Sequence, residues 1–342
     1  MTEASGATRT GGRAAVMADV GRVAGVSHMT VSRVINDHPS VRPETRMRVL
    51  AAMNELDYRP NSAARALVTG KSGTLGVVSI DTTLYGPAST LYGIEQAARV
   101  AGYFVSIVSL QALTRRSVGD AVERLRSQAV EGIVIIAPHV SAARALRYLP
   151  KDMPAVAVEG GTGPLPIVAV DQYAGAVRAT GHLLSLGHRT VWHIAGPADW
   201  LEAQARERGW RETLAESGCV VPAVLRGDWS ARSGYELGKR LAGEHEVTAV
   251  FVANDQMALG LLRALHEAGI EVPGRVSVVG FDDVPESAYF TPPLTTVRQD
   301  FGEVGRRSLE LLLSLVGGTE PASRRVVVEP QLIVRDSAAA AS

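Results

Sequence analysis

The chain has 342 residues, of which 46% are hydrophobic and 20% charged, and its formal net charge is zero. This length allows two or three folded domains with a large core. The single cysteine, Cys219, excludes a disulfide framework within one chain and a cysteine-rich metal site. No apolar run approaches the roughly 20 residues that span a bilayer, and residues 1–15 lack the hydrophobic core of a signal peptide. We therefore expect a cytoplasmic protein with no membrane partner.

Charge and composition vary along the chain. Residues 1–71 contain ten Lys+Arg and six Asp+Glu, whereas residues 72–342 contain 25 and 29. This asymmetry favours an N-terminal module that contacts phosphates and a larger body that does not. Residues 1–15 and the Ala-rich segment 336–342 are predicted to be disordered tails.

The first predicted elements are two short helices, within residues 19–26 and 27–36, joined by a tight turn. Their apolar residues can close into a small core, formed by Val20, Ala24, Val26, Val31 and Val34. This packing leaves His28, Met29 and Arg33 on the outer face of the second helix, where a DNA major groove could be contacted. Ser27 can cap that helix with its hydroxyl.

A third helix and a linker follow. Apolar residues recur at helical spacing at Val49, Leu50, Met53 and Leu56. Pro43 fits the first turn of this helix, but Arg42 stands where a capping Ser or Asp is expected, so the start is poorly capped. Segment 61–68 is helix-prone, yet helices shorter than about 12 residues are marginal in water. We expect it to fold only when a partner holds it.

From residue 74 onward, strand-like and helical stretches alternate. Predicted strands lie at 75–80, 104–108, 132–136, 155–158, 167–170, 191–195, 249–252 and 276–279, and amphipathic helices at 91–101, 119–128, 174–186, 203–216 and 257–268. Continuous Val/Ile runs that alternate with helices are typical of parallel sheets covered on both faces. Because these units are too many for one small sheet, the pattern predicts two similar α/β lobes with a cleft between them.

Several motifs, in this order, resemble the LacI/GalR family of transcription regulators. They are Gly-Val-Ser at 25–27, Thr-Val-Ser-Arg-Val at 30–34, Tyr-Arg-Pro-Asn at 58–61, Gly-His-Arg at 187–189, Asn-Asp-Gln at 254–256, Val-Gly-Phe-Asp-Asp at 279–283 and Pro-Pro-Leu-Thr-Thr-Val at 292–297. The resemblance covers about residues 17–336. It implies an α/β fold in which a two-lobed, periplasmic-binding-protein-like core of parallel sheets flanked by helices follows an N-terminal all-α helix-turn-helix headpiece.

The resemblance also implies a domain division. Residues 16–58 would form the headpiece, 59–71 a hinge helix or linker, and 72–335 an effector-binding and dimerisation core. Within the core, the N-lobe would use about 73–171 and 301–328, and the C-lobe about 172–298 and 329–335. After Arg335 the sequence lacks the heptad tail of tetrameric relatives, so a homodimer is expected.

By the same resemblance, the headpiece and hinge bind double-stranded operator DNA. The expected DNA-binding residues are Ser27, His28, Met29, Thr30, Ser32, Arg33, Asn36, Asn61, Ala64 and Leu67. Arg33 suits a bidentate guanine contact worth roughly 1–3 kcal/mol of discrimination. Two Leu67 side chains of a dimer would wedge into the minor groove and kink the duplex. Gly21 departs from the usual Ala and should weaken its helix by about 1 kcal/mol.

The expected effector site lies beyond the carboxyl ends of the core strands. The residues that match the family's sugar contacts are Arg206, Trp229, Asn254, Asp282 and Gln299. Phe301 would form an apolar wall, and Leu84 and Pro87 would line the wall on the N-lobe side. Carboxylates and amides can bridge paired sugar hydroxyls, Arg donates in a fork, and an indole covers the apolar face. Ala137 and Glu159 depart from the pattern, whereas Trp200 adds an indole near the mouth. We expect a saccharide, with a β-galactoside or an oligosaccharide as the favoured forms.

Other interpretations remain open at this stage. Individually, Asp282 could be a helix cap, Trp229 a core aromatic and Arg206 part of a surface ion pair. An enzyme is disfavoured because the chain has no Gly-x-Ser-x-Gly elbow, phosphate loop or His/Asp metal spacing, so no cofactor or metal is expected. A periplasmic sugar receptor is disfavoured as well, because it would have a signal peptide and no DNA-binding headpiece.

The alternative within the same family is a regulator that depends on a purine or another corepressor. A purine slot needs aromatic rings on both sides of the base. The chain has only five Phe residues, and this low number favours a sugar over a purine. The favoured mechanism is a two-state switch in which a sugar changes the lobe angle, the hinge helices melt and operator affinity falls.

Overall fold

The computed structural model describes residues 15–36, 38–59, 71–80, 82–110, 114–141, 146–150, 152–159 and 165–341. The chain divides into two compact units at residue 72. The described residues of the first unit form three helices: α1 (Met17–Ala24), α2 (His28–Ile35) and α3 (Pro43–Glu55). Most of the predicted N-terminal tail and of the predicted hinge lies outside the described residues.

The first unit closes around the apolar residues predicted from the sequence. Its buried residues are Val20, Ala24, Val31 and Val34, together with Val49 and Ala52 of α3. Gly25, which ends α1, has a φ of 66°, in the left-handed region that favours glycine. A β-carbon at Gly21 would lie 2.8 Å from the carbonyl oxygen of Val26. Gly21 therefore allows the turn to approach α1 closely, which offsets its poor helix propensity.

The helix starts differ in how their backbone groups are satisfied. The Ser27 hydroxyl accepts a hydrogen bond from the Thr30 backbone N–H at 3.2 Å, as predicted for the cap of α2. Within the described residues, Arg42 makes no side-chain hydrogen bond to the start of α3, which begins at Pro43. The poorly capped start is therefore confirmed, and α3 depends on packing against α1 and α2 for its stability.

In the described part of the second unit, the larger sheet has six parallel strands in the order β11-β5-β4-β3-β1-β2. They are β1 (Thr74–Ile80), β2 (Phe104–Leu110), β3 (Ile133–Ile136), β4 (Ala155–Val158), β5 (Ile167–Val170) and β11 (Arg325–Val328). Helices α4 (Tyr85–Val100) and α10 (Phe301–Val316) cover one face and α5 (Arg115–Ser127) the other. Val77 and Val78 are both buried because they point to opposite covered faces. We call this sheet with its helices the first lobe.

The smaller parallel sheet has four strands in the order β7-β6-β8-β9, counted over the described residues. They are β6 (Trp192–Ala195), β7 (Leu225–Arg226), β8 (Ala249–Val252) and β9 (Ser277–Val279). One face packs on α6 (Gln172–Ser185) and α7 (Leu201–Glu216), the other on α8 (Ala231–Ala242) and α9 (Asp255–Glu267). An antiparallel pair, β10 (Thr296–Arg298) with β12 (Gln331–Ile333), adjoins α6. These elements form the second lobe.

The predicted fold class is confirmed, and the eight predicted strands and five predicted helices of the core are all present. The chain passes from one lobe to the other after β5, after β10 and after β11. Helix α4 begins at Tyr85, six residues before its predicted start. Helices α8 and α10 and strands β7, β10, β11 and β12 were not predicted. Among the described residues, no helix is both long and apolar enough to span a membrane.

The prediction of a disordered C-terminal tail is wrong for residues 336–341. Ser337 is fully buried, and its hydroxyl donates to the Val278 carbonyl at 2.6 Å and accepts from the Thr295 N–H at 2.7 Å. Ala341 donates its backbone N–H to the Leu186 carbonyl at 2.8 Å. An Ala-rich composition does not prevent order here, because small Ser and Ala residues lie directly beside β9. Hydroxyl and backbone hydrogen bonds then hold the segment without large apolar side chains.

Candidate functional site

Helix α2 presents several of the predicted DNA-binding residues to solvent. The side chains of His28, Met29, Arg33 and Asn36 are exposed, and Met29 is 57% exposed, although it is apolar. Asn36 Nδ2 donates to the Ser32 carbonyl at 2.9 Å. The Ser27 and Thr30 hydroxyls lie 3.0 Å apart. The predicted hinge contacts Asn61, Ala64 and Leu67 lie outside the described residues.

A cavity of about 260 Å³ lies between the two lobes, at the carboxyl ends of their strands. The structure brings all eight predicted effector residues to its wall: Leu84, Pro87, Arg206, Trp229, Asn254, Asp282, Gln299 and Phe301. Residues from both lobes contribute because each sheet ends at the cleft. This is the position at which open α/β sheets bind ligands.

Arg206 on α7 lies at the centre of a buried polar network. Its Nε donates to Gln172 Oε1 at 2.9 Å, and one terminal nitrogen donates to the Ala253 carbonyl. The other terminal nitrogen lies 3.6 Å from Asp282 Oδ1. The guanidinium carbon also lies 3.8 Å from the centroid of the Phe281 ring. Arg206 is therefore a fixed, buried fork rather than part of a surface ion pair.

The network continues from Asp282 to the first lobe. Gln299 Nε2 donates to Asp282 Oδ1 at 2.6 Å, and Gln172 Nε2 donates to Gln299 Oε1 at 2.8 Å. Gln172 Nε2 also lies 3.3 Å from Glu159 Oε1. Sequence reasoning missed Gln172, although its position just after β5, at the carboxyl end of a strand, could have indicated it.

The titratable groups of the cavity are strongly perturbed. Burial raises the pKa of Asp282 to about 6, against the lowering effect of Arg206. Burial likewise raises the pKa of Glu159 to about 6. The pKa of Glu202, a cavity residue that was not predicted, is raised well above its ordinary range, first by burial and then by the charge of Glu159. Such clustered, desolvated groups in a cleft are typical of binding or catalytic sites.

Aromatic rings form the apolar part of the wall. The Trp200 and Trp229 centroids lie 5.5 Å apart with an interplanar angle of 73°, and those of Tyr85 and Phe301 lie 5.8 Å apart at 78°. Asn254 Nδ2 donates to the Trp229 carbonyl at 3.0 Å, while its Oδ1 caps α9. Asn254 therefore positions Trp229 and also lines the cavity.

Backbone strain is concentrated in the cavity wall. Glu159, Trp229 and Asp282 have φ values of 62°, 73° and 112°, in a region that non-glycine residues rarely adopt. Each such residue costs on the order of 1–3 kcal/mol and persists only where its surroundings hold it. The wall therefore keeps conformations that stability alone would disfavour, as binding sites commonly do.

The two lobes also touch directly beside the cavity. Backbone hydrogen bonds of 2.8 and 3.0 Å join segment 138–140 of the first lobe to segment 199–201 of the second. The His139 ring centroid lies 4.5 Å from that of Trp200, and His139 Nδ1 lies 3.4 Å from an Asp199 carboxylate oxygen. Trp200 thus belongs both to this contact and to the cavity wall. Among the described residues, no group of three or more His, Cys, Asp or Glu side chains could hold a metal ion.

Comparison with known proteins identifies the family. Residues 16–61 match the model of the lacI family of bacterial regulatory proteins, and residues 180–338 match a periplasmic binding protein-like domain. The chain is 35% identical over 314 residues to the lactose operon repressor of Escherichia coli (strain K12), which covers 88% of this chain and 84% of that protein. The chain belongs to the LacI family. The predicted family resemblance is confirmed.

Two further matches extend over nearly the whole of this LacI-family regulator. The transcriptional repressor PurR of Photobacterium profundum is 30% identical over 330 residues, covering 94% of this chain and 98% of that protein. A crystal structure of the lac repressor dimer bound to operator and the anti-inducer ONPF superposes with a TM-score of 0.85 at 33% identity. That match covers 96% of this chain and 100% of the other. These relatives are transcription repressors rather than enzymes.

Proposed function

We propose that this LacI-family regulator is a sequence-specific repressor that binds a pseudo-palindromic operator as a homodimer and is released when a saccharide occupies the inter-lobe cavity. The observation that carries the saccharide assignment is the composition of the cavity wall. Buried, fixed hydrogen-bonding groups stand opposite indole and phenyl rings. This combination suits a ligand with polar edges and an apolar face.

The DNA part of the proposal rests on the exposed face of α2. In a helix-turn-helix, the second helix enters the major groove and its exposed side chains contact base edges. Arg33 would bind guanine O6 and N7, and His28 and Met29 would contact neighbouring bases. Ser27, Thr30, Ser32 and Asn36 would bind phosphates, and the hinge residues Asn61, Ala64 and Leu67 would contact the minor groove. The operator-bound dimer of the lac repressor supports this arrangement.

The saccharide part rests on hydrogen-bond geometry. Arg206 and Asp282 hold each other in fixed positions, so a sugar with two adjacent hydroxyls could donate to the carboxylate and accept from the guanidinium. Gln299 extends the same polar edge toward the first lobe. Trp229, held by Asn254, supplies a face against which the C–H groups of a pyranose ring can stack. A β-galactoside or an oligosaccharide that also reaches Trp200 fits this wall.

A purine corepressor is the second candidate, supported by the similarity to PurR. A flat base is best held between two parallel rings. The two ring pairs described above instead meet edge to face, at 73° and 78°. Each pair therefore offers a ligand the face of one ring rather than a slot between two parallel rings. Stacking on one ring face suits the apolar face of a saccharide better than a flat base.

A thermal-shift screen of the full chain tests the proposal. Mono- and disaccharides are compared with adenine, guanine and hypoxanthine, and hits are added to gel shifts with operator DNA. A saccharide should raise the melting temperature and release the operator. Arg206→Met should abolish the shift, whereas Arg211→Met, on the exposed side of the same helix, should retain it. Stabilisation by purines alone, or by no saccharide, would refute the saccharide assignment.

A further inference from the structure

The acidic groups of the cavity outnumber its cations. Among the described residues that line it, Arg206 is the only one with a cationic side chain, whereas Glu159, Glu202 and Asp282 are acidic. Arg206 lies closest to Asp282, at 3.6 Å, and its other nitrogens donate to neutral groups. Glu159 and Glu202 form no salt bridge among the described residues, although the charge of Arg206 lowers the pKa of both and that of Arg325 also lowers the pKa of Glu159.

Glu202 is the less satisfied of the two. Glu159 Oε1 accepts the Val170 N–H at 2.9 Å and lies within reach of the Gln172 amide. Glu202 Oε2, by contrast, is buried and has no hydrogen-bond partner among the residues that the structure describes. The Trp229 indole N–H, in a residue that is 7% exposed, likewise has no hydrogen-bond partner among the described residues. Both groups belong to side chains that line the cavity, so an occupant could satisfy them.

The two carboxyl groups also influence each other. Burial raises the pKa of Glu202, and the nearby charge of Glu159 raises it further. Burial and this mutual repulsion therefore favour the protonated form of Glu202 over its carboxylate. A ligand that brings its own positive charge would replace that proton and compensate the Glu202 carboxylate. A neutral hydroxyl group would supply a hydrogen bond but no charge.

Resting on the proposed saccharide effector, we propose that the effector is an amino sugar whose ammonium group binds Glu202, with Glu159 beside it. An ammonium group donates three hydrogen bonds and accepts none, which matches a wall of carboxylate oxygens. Its pairing with a carboxylate removes the cost of a desolvated, uncompensated charge. The sugar ring would then use Arg206, Asp282 and Trp229 as described above, so the ammonium site adds to the saccharide site without changing it.

Isothermal titration of the full chain with matched ligand pairs tests this inference. The pairs are glucosamine with glucose, galactosamine with galactose, and the β-1,4-linked glucosamine disaccharide with cellobiose. At least one amino sugar should bind about tenfold more tightly than its neutral parent, because hydrogen bonds to charged groups exceed neutral ones by about that factor. Glu202→Gln should remove this preference, so that the amino sugar binds no more tightly than its neutral parent. Glu216→Gln, exposed on the same helix, should keep it.

The outcomes separate this inference from the proposal on which it rests. Neutral sugars that bind as tightly as their amino counterparts would overturn the amino-sugar inference and leave the saccharide proposal standing. A preference for amino sugars that survives in Glu202→Gln would also overturn it, because the ammonium group would then bind elsewhere. Binding of no saccharide of either kind would overturn both. Loss of the preference in Glu202→Gln, but not in Glu216→Gln, supports the assignment.

Discussion

Ser337→Ala is expected to lower the free energy of unfolding by about 2–4 kcal/mol. The hydroxyl is fully buried, donates to the Val278 carbonyl at 2.6 Å and accepts the Thr295 N–H at 2.7 Å. Alanine would leave a buried N–H and a buried carbonyl without this partner, and each such group costs about 1–3 kcal/mol. The expected loss is smaller than the largest costs of the two groups added together, because the Val278 carbonyl can accept other hydrogen bonds. A disordered tail would predict no change.

Urea unfolding followed by tryptophan fluorescence measures this loss. All four Trp residues lie in the second unit, so the signal reports on the unit to which Ser337 belongs. Ser185→Ala is the control, since that exposed hydroxyl donates to the His182 carbonyl at 2.7 Å and its loss should change stability by less than about 0.5 kcal/mol. If Ser337→Ala changes stability no more than Ser185→Ala does, the C-terminal segment is not held as described.

Three further predictions concern the cavity and the DNA-binding helix. In Gly196→Ala, the new β-carbon would lie 2.2 Å from the Trp229 ring. Calorimetry should therefore show weaker effector binding, and the free energy of unfolding should fall by about 1–3 kcal/mol. The control Gly181→Ala, which has open space around the new β-carbon, should show neither effect. Arg33→Lys should lose roughly 1–3 kcal/mol of discrimination at one operator base pair in gel shifts with single-base variants, and a uniform loss over all sequences would argue against base contact. The pKa of Glu159 is raised from 4.5 to about 6, so between these pH values the folded state binds more protons than the unfolded state. The stabilising contribution of this group is therefore lost as the pH rises through that interval. The stability of Glu159→Gln relative to the unsubstituted protein should therefore increase between those pH values, and a decrease would contradict the assignment.

The long, buried elements of the core were predictable because their residues show a clear pattern. The apolar runs that became β1 and β8 are buried along almost their whole length, so burial on both faces is visible in the sequence. Strands β11 and β12 were missed for the opposite reason. Each has only three or four residues, most of which are partly exposed, and each is defined by pairing with a distant strand, β5 or β10. So short a segment cannot show a period, and only tertiary pairing makes it a strand.

The candidate site was predictable where a strand leads into it. Asn254 and Asp282 follow buried strands, and the rule for open α/β sheets places them at the cleft. Glu202 gave no such signal, because it precedes Arg206 by four residues and resembles an ordinary exposed helical ion pair. Only the approach of the two lobes, which brings β4 and α7 to one cavity, turns that acidic side chain inward.

The backbone hydrogen bonds between segments 138–140 and 199–201 bear on the timing of the response as well as on its equilibrium. These hydrogen bonds join the lobes beside the cavity, and Trp200 belongs both to this contact and to the cavity wall. A ligand that passes on this side can therefore leave only after the lobes separate. Gated exchange of this kind makes the observed association rate level off at high ligand concentration, at the rate of opening. In a repressor of the proposed kind, the interval for which a promoter stays active after the sugar is exhausted would then depend on two peptide hydrogen bonds and one indole ring.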